Sequence, residues 1–95
     1  MYNDEFVYNA KIISLSGKSG TQFEMFFEML RVEKIRLASD GRNEVYRVSS
    51  LDKKLPLEFK EDDNIQIKND NGVVLKKAFI DERDDPFSMI VQTLS

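Results

Sequence analysis

Ninety-five residues, 41% of them hydrophobic and seven of them Phe, suit one globular domain, residues 1–95, whose core needs neither metal nor disulfide. With no cysteine and no histidine, the chain has no thiolate chemistry, sulfur-ligated zinc or imidazole acid–base catalysis. The net charge of −3 is uneven: residues 31–54 carry seven bases against four acids, and residues 55–95 nine acids against five bases. An acidic chain with a basic middle disfavours general affinity for nucleic acid but allows a local patch. No apolar run exceeds three residues, too few for a membrane-spanning helix, and the acidic start does not read as a signal peptide. An intracellular, cytoplasmic protein is therefore expected.

In chain order, Phe6–Ser16 is rich in β-branched and aromatic residues and predicts a strand. Residues 22–32 read two ways. As a helix they place Phe23, Phe26, Phe27 and Leu30 on one face, and Thr21-Gln22-Phe23-Glu24 forms a capping box. As a strand, Phe23, Met25, Phe27 and Met29 alternate with polar residues, only Phe26 stands out of place, and Gly17–Gly20 is a hairpin turn. Good helix formers and few β-branched residues favour the helix, so one short helix near residues 21–32 is expected.

Two hairpins follow. In residues 34–48 the pair Asp40-Gly41 suits a two-residue type I′ turn. That register sets Ile35 opposite Tyr46 and gathers Ile35, Leu37, Tyr46 and Val48 on the apolar face, with Lys34, Arg36 and Arg47 on the other. In residues 64–80 a loop Asp70-Asn71-Gly72 sets Ile67 opposite Leu75. The alternating Leu57-Glu58-Phe59 makes the first strand of a meander over residues 55–80, and Phe87–Leu94 reads as a final strand. The sum is an α+β, β-rich fold: about six to seven antiparallel strands in a small barrel or strongly curved sheet, one end plugged by the helix.

Several motifs suggest chemistry and fall short of it. Ser16-Gly17-Lys18-Ser19 between a strand and an amphipathic run has the order of a phosphate-binding P-loop. The first glycine that motif requires is replaced by Ile12, so no nucleotide site is expected. Ser50-Leu51-Asp52-Lys53 matches a serine–lysine pattern but lacks its partner motifs. Glu61-Asp62-Asp63 and Asp81–Asp85 offer carboxylates without the spacing of a calcium loop, and read as solvated turns.

The constellation with functional content is Lys34, Arg36 and Arg47 with Arg42 in the turn. On an exposed sheet face these bases suit an acidic patch on a protein partner, or phosphates. Seven Phe and four Met fill the core of a small domain, or else leave part of the 23–30 face to dock to another subunit. The expectation is a non-enzymatic binding or assembly module, without cofactor or metal, acting through protein contacts or self-association as adaptor, inhibitor or subunit. The alternative is a small-barrel nucleic-acid binder using the basic hairpin.

Overall fold

The computed structural model describes residues 4–94, with the backbone alone at Asp4 and Asp84. Six strands run β1 (Asp4–Leu15), β2 (Gln22–Leu37), β3 (Glu44–Ser50), β4 (Asn64–Asn69), β5 (Gly72–Asp85) and β6 (Ser88–Thr93). All neighbours are antiparallel, and the order β1-β2-β3-β6-β5-β4 closes on itself as a barrel. The described residues contain no helix, so none is long and apolar enough to cross a membrane.

The helix expected over residues 21–32 is instead the first two thirds of β2. It pairs with β1 from Leu15↔Gln22 to Asp4↔Glu33. The capping box is a local signal worth about 1 kcal/mol, whereas β1 is twelve residues long and needs a partner along its length. Pairing the two strands satisfies both backbones and still sends Phe23, Met25 and Phe27 toward the core. Gly17–Gly20 becomes the hairpin turn: the Gly20 amide donates to the Ser16 carbonyl at 2.9 Å and the Ser16 amide to the Thr21 carbonyl at 3.0 Å. Phe26 is indeed the misplaced residue, 47% exposed on the outer surface.

One irregularity interrupts this hairpin. Asn9 takes a left-handed φ of 54° inside β1. On its N-terminal side Val7 is buried; on its C-terminal side Ala10, Ile12 and Ser14 are buried. The inward face therefore changes parity at Asn9, and β2 changes with it, from Phe27 to Leu30.

The core unites Val7, Ile12, Phe27, Leu30, Val48, Ile67, Ile80, Met89 and Val91 with Leu55 and Phe59. The last two lie in the 51–63 connection, which crosses one end of the barrel and does the plugging assigned to the helix. Phe59 meets Phe23 edge to face, with centroids 5.6 Å apart and planes at 75°. The expected strand at Leu57–Phe59 is thus loop, with Phe59 buried and Leu57 85% exposed. Arg83 of β5 fastens this loop by donating to the carbonyls of Pro56 (2.9 Å), Phe59 (2.6 Å) and Leu55 (3.3 Å). The Asp62 amide also donates to the Ile80 carbonyl, and the Ile80 amide to that of Asp63.

Both expected hairpins form, each with an adjusted register. At Asp40-Gly41 the turn is wider than two residues: the ladder closes at Leu37↔Glu44, and the Ala38 amide donates to the Asn43 carbonyl. The Asp40 carboxylate accepts the Asn43 and Arg42 amides, which hold its pKa below the usual carboxylate range. The expected register holds for Arg36↔Val45 and slips by one at a bulge, so Lys34, not Ile35, faces Tyr46. In the second hairpin Ile67↔Leu75 pairs as expected, but Asn69↔Gly72 closes a two-residue turn and a bulge absorbs the difference.

Candidate functional site

The bulge at Ile35 divides the basic set. Paired residues share a face, so Arg36 and Arg47 share the outer face, through Arg36↔Val45 and Glu33↔Arg47. Lys34 turns the other way with Tyr46, at the open mouth of the barrel. There its ammonium contacts the Glu44 carboxylate, which also accepts the Tyr46 hydroxyl at 2.8 Å. The Lys34 bond, then that of Tyr46, lowers the Glu44 pKa, while burial, then Glu44, pushes the Tyr46 phenol up to about 12. A phenol that holds its proton so firmly is a structural donor. Arg42 sits exposed in the turn. The outer face under that turn is closed by a small cluster of Ala38, Val45 and Ile90, with Ile35 packed against it.

The structure brings other residues to Arg36 and Arg47. Phe6 lies opposite Arg31, Tyr8 opposite Met29, and Arg31 opposite Ser49, so all five side chains share the outer face. Phe6 is 52% and Tyr8 60% exposed. Ser49 and Ser88 share a hydrogen bond at 3.0 Å, which continues this face onto β6. The result is two aromatics and a methionine beside three arginines, spread over the N-terminal half of β1, β2 and β3. Glu33 tempers it by pairing with Arg31 at 3.6 Å.

Sequence reasoning misses Phe6 and Tyr8 because the apolar and aromatic residues of Phe6–Ser16 predict a strand without saying which side faces water. The structure decides it through Val7: with Val7 buried, its neighbours point out.

The other motifs resolve into local structure. The Ser50 hydroxyl donates to Asp52 and accepts the Lys53 amide, while the Lys53 ammonium lies over the rings of Phe26 and Phe27 at 5.9 and 5.4 Å. That is a cation–π contact beside a turn. Glu24 pairs with Lys11 at 3.7 Å. At the plugged end, a pocket of about 870 Å³ lies between the loop and the β5–β6 turn, lined by Met25, Leu55, Pro56, Leu57 and Phe59 with Arg83. The Arg83 guanidinium is committed to the loop carbonyls there. Among the described residues, no group of three or more metal-ligating side chains comes together.

These features define a six-strand antiparallel barrel that carries an exposed aromatic and arginine face on one side. Comparison with protein-family models, curated proteins and solved structures finds no match to this chain.

Proposed function

We propose that this chain is a non-enzymatic binding or assembly module that works through protein contacts on the outer face of β1, β2 and β3. One observation carries the reading: Phe6 and Tyr8, both more than half exposed, lie on one sheet face with Met29, Arg31, Arg36 and Arg47. Aromatic, methionine and arginine side chains are the types enriched at protein interfaces, because they bury large area or make several directed contacts. Solvent alone gives no reason to present Phe6 and Tyr8 side by side. The arginines favour a partner with acidic groups around an apolar centre.

Exposed aromatics beside arginine also suit a single-stranded nucleic acid, whose bases stack on the rings while cations follow the phosphates. Glu33 and the net charge of −3 weigh against it.

The test pairs Met29→Glu with Arg36→Glu, both on the face and off its edge, and takes Lys76→Glu on β5 as control. Affinity capture from cells that make the protein should lose specific partners with the double variant and keep them with the control. Identical partner sets would retire the reading. Fluorescence anisotropy with labelled single-stranded oligonucleotides should stay flat at physiological salt; binding that weakens as salt rises would favour the nucleic-acid alternative instead.

A further inference from the structure

Strand β4 joins β1 only from Lys11 to Leu15, so Asp4–Ala10 has β2 as its one strand neighbour among the described residues. The left-handed Asn9 lies just beyond Lys11, where the β1–β4 pairing ends. An open strand edge offers unpaired amides and carbonyls to another strand, and proteins usually guard such edges with lysine, proline or a capping group.

Other open edges are guarded in part. On β2, before β3 takes over at Leu30, the Glu28 amide donates to the Asp52 carboxylate at 3.1 Å and the Leu51 amide donates to the Met29 carbonyl. On β5, Lys76 and Lys77 flank the edge and the Leu94 amide donates to the Lys77 carbonyl. Glu5-Phe6-Val7-Tyr8 has no lysine and no proline, and presents two exposed aromatics.

We propose that this edge pairs with itself: two copies join β1 to β1, antiparallel, about a two-fold axis at Val7. The proposal rests on the protein-contact reading above and names a partner for it. Val7 lies midway between the two exposed aromatics, so this axis uses both of them. It sets Phe6 opposite Tyr8 of the second copy, twice over, and Glu5 opposite Asn9. No acid meets an acid. A two-fold axis normal to the sheet also keeps outer face with outer face, so both aromatic pairs form on the outside while each Val7 stays in its own core. An axis at Phe6 keeps one aromatic pair in place of two and sets Asp4 opposite Tyr8. The self-complementary register is what selects a second copy as the occupant.

A short edge with two aromatic pairs gives an interface at the low end of specific sizes, and hence a dissociation constant on the order of micromolar. Sedimentation velocity on the purified chain, from about 10 to about 500 μM, should show the mass rising toward that of two copies. Phe6→Lys and Tyr8→Lys should each weaken association at least about tenfold, with melting temperatures close to wild type because both side chains are exposed. A monomer at every concentration, or a dimer indifferent to both variants, overturns the proposal. The register has its own test, since the chain has no cysteine. Phe6→Cys mixed with Tyr8→Cys should oxidise mainly to the 6–8 disulfide, because 6–6 and 8–8 partners lie diagonally apart. Predominant 6–6 or 8–8 products overturn the Val7 axis. A monomeric chain would leave another protein as partner for the face, whereas a sound dimer with unchanged captured partners would sink the wider reading alone.

Discussion

Replacing Phe59 with alanine tests whether the 51–63 loop is a structural plug. The ring is 1% exposed, meets Phe23 edge to face, and sits in a loop whose Phe59 carbonyl is held by Arg83. A Phe side chain buries 150–250 Å², of which alanine would keep a small part. Losing ~100–150 Å² at ~25 cal/mol per Å² costs about 2.5–4 kcal/mol. The lost ring pair adds roughly 0.5–1.5 kcal/mol, so about 3–5 kcal/mol is expected, the usual range for Phe→Ala in a core. A domain of this length has a total stability of roughly 5–14 kcal/mol. The substitution should therefore remove about a fifth or more of it and lower the melting temperature by about 15–25 °C. Urea unfolding followed by circular dichroism reads the difference directly. A loss below about 1 kcal/mol would show that the loop covers the barrel end without supporting it, and the account of the plug would fall.

Asp52→Ala should cost about 1 kcal/mol, since its carboxylate accepts both the Glu28 amide and the Ser50 hydroxyl; hydrogen exchange at the Glu28 amide should quicken, and an unchanged rate would deny the cap. Burial, then the Glu44 hydrogen bond, raises the Tyr46 phenol to about 12, so the folded state keeps that proton more firmly than the unfolded chain. The stability this contributes is complete below pH about 10 and is lost as pH climbs toward about 12. Ultraviolet titration should show a tyrosinate step that Tyr46→Phe removes and Glu44→Gln moves to lower pH; a step unmoved by Glu44→Gln would refute the coupling.

Some of this protein was written locally. Alternation in residues 64–80 set Ile67 against Leu75, Asp40-Gly41 and Asn71-Gly72 marked two turns, and the final strand is where its β-branched run placed it. These depend on neighbours a few residues apart, so sequence order carries them. Residues 22–32 did not, because helix and strand readings bury nearly the same phenylalanines. What separated them was the need of β1 for a partner along twelve residues, which no local propensity of tenths of a kcal/mol per residue can express.

The candidate face was decided the same way. A bulge at Ile35 turned Lys34 into the barrel mouth, and a left-handed Asn9 reversed the inward face of β1, which put Phe6 and Tyr8 outside with Arg31, Arg36 and Arg47. In a strand, one extra or rotated residue exchanges every side chain between faces. Such a change leaves the composition of the segment untouched. Sequence determined which residues alternate and where the chain turns; closure of the barrel decided which half of each alternation meets water.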